Sequence, residues 1–187
     1  MFDPDAGGFV VETGLGDIAF DLAFAPKLET KGLLFAAGLI TSLPTATDDA
    51  LGSKRWTLGP EVLLGKMSPW GVIGVFPNHQ WGVAGSGDRD INLTSILPLF
   101  VYLPGGGWSV GSAPIITYDW ETEQWTVPLQ VNVGKTVVLS GRPWKLSLEV
   151  NYFVEKAEAF GPKWMVGLNV APVVNNGLAG WFGLGKD

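Results

Sequence analysis

The sequence predicts an all-β chain folded as an antiparallel up-and-down transmembrane β-barrel of about 8–10 strands. Three observations carry that prediction: runs of period-two alternation recur at even intervals, Trp gathers at the ends of those runs, and charge is scarce. Asp, Glu, Lys and Arg make up 16% of the 187 residues while 47% are apolar, against roughly a quarter charged in soluble domains. The 26 Gly and 13 Pro exclude a coiled coil or helical bundle, because either residue at that density breaks helices. The length allows one domain, residues 1–187, with 176–187 as a tail.

Nine runs read as strands: 16–26, 32–43, 55–66, 70–84, 90–103, 107–121, 124–139, 143–155 and 163–173, with a further piece at 8–13. The segments between them carry Gly, Pro, Asp, Ser or Thr suited to tight backbone, as in Ser68-Pro69, Glu121 to Glu123 and Gly141-Arg142. Others, such as Pro44 to Lys54, are longer, the asymmetry expected of periplasmic turns and external loops. Runs of this length exceed the about 5–6 residues of a soluble strand and suit the about 9–11 of a tilted membrane strand with overhang.

Alternation separates a greasy face from a wet one. In 143–155, Trp144, Leu146, Leu148, Val150, Tyr152 and Val154 oppose Lys145, Ser147, Glu149, Asn151, Phe153 and Glu155. In 90–103, Ile91, Leu93, Ser95, Leu97, Leu99 and Val101 form the greasier set, against Asn92, Thr94, Ile96, Pro98, Phe100 and Tyr102. Parity therefore places Asp17, Asp21, Glu61, Asn78, Gln80, Asn92, Thr94, Thr117, Asp119, Glu121, Gln130, Asn132, Lys145, Glu149 and Asn151 on the wet face, as lumen-lining candidates. Trp56, Trp70, Trp81, Trp108, Trp120, Trp125, Trp144 and Trp164 fall near strand ends, the placement of an aromatic girdle at headgroup level.

Several function classes drop out. A net charge of −6 argues against nucleic acid as a partner. Zero Cys and one His remove thiolate catalysis and multi-His or Cys metal sites, so no catalytic residue, metal or cofactor is expected, and the chain does not read as an enzyme. Asp119 and Glu121 lack an accompanying nucleophile, Asp48-Asp49 and Asp88-Arg89-Asp90 lack the spacing of a calcium loop, and Gly105-Gly106-Gly107 reads as a hairpin turn. His79 shares the Trp81 face, as a structural or interfacial residue. The longest nearly uncharged apolar stretch, Gly32 to Ile40, is too short for a membrane helix, and the opening Met1-Phe-Asp-Pro-Asp-Ala-Gly-Gly8 has neither the basic region nor the apolar stretch of a secretory signal, as expected of a copy without its signal, a chain that never had one, or a fragment.

The strings Gly14-Leu-Gly-Asp-Ile18, Phe24-Ala-Pro-Lys27, Leu43-Pro-Thr-Ala-Thr-Asp48, Trp56-Thr-Leu-Gly-Pro60, Pro69-Trp-Gly71, Asn78-His-Gln-Trp81 and, above all, Thr117-Tyr-Asp-Trp-Glu-Thr-Glu-Gln-Trp-Thr-Val-Pro128 carry a resemblance. Over roughly 14–173 the chain resembles a family of bacterial outer-membrane proteins labelled "transporter" or "neuromedin U" and related to the MetA-pathway phenol-degradation proteins. The resemblance implies an outer-membrane β-barrel of a Gram-negative bacterium, a channel or transporter with membrane lipid and a small-molecule solute as partners and no catalytic residues. Against that family the chain looks N-terminally shortened. Since single-chain bacterial barrels use even strand numbers, nine runs leave three expectations: 8–13 supplies a tenth strand, one run is split or merged, or another chain completes the barrel. Two other readings stand beside the transporter: a plugged structural barrel without conduction, and a soluble lipocalin-like ligand-binding barrel whose greasy face points inward.

Overall fold

The structure, a computed structural model, describes residues 2–3, 8–9, 13–156 and 163–173. Strands β1 (Phe2–Asp3) and β2 (Gly8–Phe9) pair with each other. Ten further strands build one antiparallel sheet: β3 (Ile18–Phe24), β4 (Leu33–Leu43), β5 (Arg55–Ser68), β6 (Gly71–Gly85), β7 (Asn92–Gly105), β8 (Trp108–Ser112), β9 (Ile116–Asp119), β10 (Gln124–Leu139), β11 (Arg142–Glu155) and β12 (Trp164–Pro172). A short 3₁₀ turn at Asp49–Leu51 is the helical element among the described residues, and none of their helices is long and apolar enough to cross a membrane.

Strand neighbours in sequence are neighbours in the sheet, in the order β12-β11-β10-β8-β7-β6-β5-β4-β3. Strand β9 occupies the same position as β8, since both lie between β7 and β10. The run 107–121 is thus two strands, parted at Ala113-Pro114-Ile115, where the Pro has no N–H to give a ladder. The piece at 8–13 does not join this sheet: Gly8–Phe9 pairs with Phe2–Asp3, and residues 10–12 lie outside the described residues, as does the tail 176–187. Among the described residues β3 and β12 are the two edges. With nine positions alternating in direction, these edges run the same way.

Within the sheet, every connection from β3 to β12 other than that between β8 and β9 joins adjacent antiparallel strands. At one end they are short: Pro69-Trp70, Gly106-Gly107 and Ser140-Gly141 each turn the chain in two residues, and 25–32 is longer. At the other end lie 44–54, 86–91 and 120–123, and there β11 ends and β12 begins. Ser140 and Gly141 both have positive φ, 50° and 76°, with Leu139 facing Arg142 across them; that pair of dihedral signs matches the right-handed twist of a hairpin. Gly59 serves a different need, because a Cβ there would sit 1.6 Å from the His79 carbonyl oxygen of the neighbouring strand.

Among the described residues no apolar core forms. Phe153 is the large apolar side chain that is buried among the described residues, whereas Thr57, Glu61, Ser95 and Asn151 are buried polar ones. Leu22, Phe24 and Leu168 are each at least 75% exposed. The sheet is therefore held by its backbone ladder rather than by sheet-on-sheet packing. Replacing Gly141 by Ala is expected to cost roughly 1–2 kcal/mol, the penalty of a left-handed conformation for a residue with a Cβ. Gly59→Ala should cost more, because the β5–β6 ladder must separate to admit it; urea midpoints of the folded protein measure both.

Candidate functional site

Directly opposed residues on paired strands project to the same face, so the register sorts every side chain of the sheet. One row runs Ala23, Gly38, Glu61, Asn78, Ser95, Thr117, Thr126 across seven successive strand positions. A second runs Val72, Val101, Gly111, Asn132, Glu149, Gly167. The same face receives Asp21 opposite Ile40, Gln80 opposite Leu93, Gln130 opposite Asn151, and Lys145 opposite Thr136. This polar face is the less exposed one, as expected where a sheet curls around it. In β5 its members Thr57, Gly59 and Glu61 are buried and the intervening Trp56, Leu58 and Pro60 are exposed.

Polar groups on this face form small networks. The Thr57 hydroxyl donates to Gln80 Oε1 at 2.8 Å and accepts from the Ser42 backbone N–H at 3.1 Å. Asn151 Nδ2 donates to Glu149 Oε1 at 2.7 Å, and Gln130 Oε1 accepts from the Ala113 N–H. Gln130, Asn132, Lys145, Glu149 and Asn151 line a cavity of about 570 Å³ together with Leu99 and Phe153. Glu61 stands apart, since it is 2% exposed and neither carboxylate oxygen has a hydrogen-bond partner, nor has the buried Oδ1 of Asn78 opposite it. A buried carboxylate without donors works against folding.

Four candidates sit elsewhere. Asn92 lies opposite Trp81, and Thr94 opposite His79, so both belong to the other face. Their strand is apolar on both sides, and the greasier set by composition, Leu93, Leu97, Leu99 and Val101, joins the polar face while Ile96, Phe100 and Tyr102 take the exposed one. Glu121 is exposed in the turn 120–123 and lines no wall. Asp17 precedes β3 and ties the end loops together, accepting from Ser53 N–H at 2.7 Å, Ser53 hydroxyl at 2.8 Å and Ala46 N–H at 3.1 Å. Asp119, on the polar face opposite Leu93, ends β9 in an ion pair with Arg89. Ser95, Thr57 and Thr126 join the face without having been singled out; Ser95 is hidden in a leucine-rich run, and the outward placement of the aromatics beside it was the available signal.

The opposite face is apolar over its middle and aromatic at both margins. At the long-loop end stand Trp56, Trp81, Trp120, Trp125 and Trp164, with Tyr118 4.8 Å from Trp120 and 4.7 Å from Trp125, and Tyr152 4.7 Å from Trp164 between ring centres. Thr94 Oγ1 accepts from Trp120 Nε1 at 2.8 Å and meets His79 Nδ1 at 2.7 Å, and the His79 ring lies 4.2 Å from Trp81. At the short-turn end stand Trp70, Trp108, Trp144 and Tyr102. There Lys135 lays its stem along the sheet, and its Nζ meets the Gly106 carbonyl at 2.7 Å and the Trp108 ring at 4.6 Å, the snorkelling habit of a long cation on an apolar surface. Between the two margins the charged residue among the described residues of this face is Lys66, opposite Leu33 and Ile73 and two residues inside the short-turn margin; the rest of the band is uncharged.

The described residues hold no cluster of three or more His, Cys, Asp or Glu suited to a metal ion. Comparison with family models, with curated proteins and with solved structures gave no match for this chain.

The donors from Ser53 hold the Asp17 carboxyl below the usual carboxylate range, against the opposing effect of burial. A lowered folded value means that Asp17 contributes stability above its unfolded pKa of about 3.9 and loses it as pH falls through the folded value. Asp17→Asn is expected to flatten that part of the acid-unfolding curve, followed by urea midpoints from pH 6 downward, and to leave the curve above pH 5 parallel to the parent's.

Proposed function

We propose that this chain is an outer-membrane β-barrel of a Gram-negative bacterium, whose polar inner face passes small polar solutes with a preference for cations. The observation that carries the reading is the inverted arrangement of side chains: Glu61, Thr57, Ser95 and Asn151 are buried while Leu22, Phe24, Val131 and Leu168 are exposed. In water this distribution would leave a very large apolar surface exposed. In a bilayer it is the arrangement of lowest free energy, with hydrocarbon against the apolar band and Trp and Tyr at both headgroup levels. The two aromatic margins and the contrast between short turns and longer loops support the same reading, as does the resemblance to the outer-membrane transporter-like family.

Selectivity follows from the charges of the inner face. Asp21, Glu61, Asp119 and Glu149 face inward against Lys145, and a wall with that balance favours cations and neutral polar solutes over anions. The soluble lipocalin-like reading needs its greasy face turned inward, and here that face is the exposed one. A plugged barrel shares the outer face and differs only in conduction.

Reconstitution in planar bilayers under a salt gradient tests the proposal. Discrete conductance steps and a cation-selective reversal potential are expected; intact, inserted protein that never conducts would favour the plugged barrel. Glu61→Gln should lower cation preference and raise the urea midpoint, because the amide supplies donors for the unpartnered Asn78 oxygen. A loss of stability in that variant would instead make Glu61 a structural residue.

A further inference from the structure

We infer that Glu61 and Asn78, with the neighbouring Ser95 hydroxyl, bind a single alkali cation on the inner wall; the inference rests on the reading of the polar face as the lumen of a barrel. The three residues are consecutive in one row, on β5, β6 and β7, and directly opposed residues bring their Cβ atoms to about 5 Å of each other. Glu61 is 2% exposed and Ser95 8%. Both carboxylate oxygens of Glu61 and the facing Asn78 Oδ1 are buried, and none of the three has a hydrogen-bond partner.

The surroundings explain why no donor reaches these oxygens. On its own strand Glu61 is flanked on the same face by Gly59 and Leu63, and Gly38 opposes it from β4. The glycines have no side chain and the leucine no polar atom. Among the described residues no ion pair involves Glu61. Arg55, at the head of the strand, is held by Asp90, and Lys145 of the inner face stands on β11. The same face carries Asp21 on β3, opposite Ile40, which adds negative potential and no donor.

Acceptors that face each other away from water call for positive charge between them, because buried charges are paired or coordinate a metal ion. Turning the Asn78 amide end for end would give Glu61 one neutral donor and leave its charge uncompensated. A cation held between the two side chains satisfies all three oxygens at once.

The donor set selects the ion. A carboxylate, an amide carbonyl and a hydroxyl are hard oxygen ligands, without the imidazole or thiolate that favours a transition metal. Their single charge and small number fall short of the about 6–8 oxygens that calcium takes. An alkali cation that keeps part of its hydration shell fits the site, and sodium is the probe. A proton on Glu61 would also close the pair, but it would leave the fold indifferent to sodium.

The full chain, folded in neutral detergent at neutral pH, is unfolded in urea at constant ionic strength while sodium is replaced stepwise by N-methylglucamine, a cation too large to sit between the two side chains. Once sodium exceeds the Kd of the site, linkage predicts that the unfolding equilibrium constant falls about tenfold for each tenfold rise in sodium. Glu61→Gln should lose that dependence, and in N-methylglucamine alone its midpoint should exceed the parent's. Glu121→Gln, which removes the same charge from an exposed turn, should respond to sodium as the parent does. A parent indifferent to sodium would overturn the site and leave a proton as the partner of Glu61. A Glu61→Gln variant that responds like the parent, or equal losses in both variants, would overturn it as well. Sodium-dependent stability in a protein that never conducts removes the channel and keeps the site, whereas conduction without sodium-dependent stability removes the site and keeps the channel.

Discussion

The continuous antiparallel ladder is the constraint on which the rest of the structure depends. With no buried apolar layer among the described residues, backbone hydrogen bonding carries the sheet, and register decides which side chains meet. Because the side-chain period is two, a slip of one residue in any hairpin would exchange the polar and apolar faces of everything beyond it. The two-residue turns at Pro69-Trp70, Gly106-Gly107 and Ser140-Gly141 leave little room for such a slip. The pairing of Asn78 with Ser95 and of Gln130 with Asn151 then places amide against hydroxyl or amide on the same side throughout.

That sorting gives the two faces opposite requirements. The exposed face carries leucine, valine, isoleucine and phenylalanine in its middle and tryptophan and tyrosine where it ends, and at its short-turn margin the Lys135 amine donates to a turn carbonyl. The less exposed face accepts polar groups that are only partly satisfied. Glu61 is the extreme case: a carboxylate held away from solvent without donors lowers stability.

Most of the fold was legible in the sequence. The nine alternating runs coincide with the nine positions of the sheet to within two residues at most boundaries, because turn residues mark a hairpin sharply and strands of 11–16 residues leave long periodic signals. The split of 107–121 was not legible, since Pro114 interrupts hydrogen bonding without interrupting alternation. The wet face was legible where one side of a strand is plainly polar, as in β10 and β11. It failed in β7, where leucine fills the inner side and hydrophobicity ranks the faces in the wrong order; there the aromatics Phe100 and Tyr102 were the better guide. Asp17 and Glu121 obey parity and still line no wall, because they lie past the ends of the strands, where loop hydrogen bonds set the direction of a side chain.

Tryptophan offers the most direct test that the apolar face meets lipid, since eight of these residues stand in two rows at known heights on the sheet. The measurement is depth-dependent fluorescence quenching of the protein reconstituted in vesicles, with quenchers carried either at headgroup level or at the bilayer centre. Both rows at the interface predict strong quenching by the shallow quencher, weak quenching by the deep one, and emission shifted to the blue of that in denaturant. A folded, monomeric protein in plain buffer, with Trp emission insensitive to either quencher, would contradict the account and turn its faces over to a different solvent.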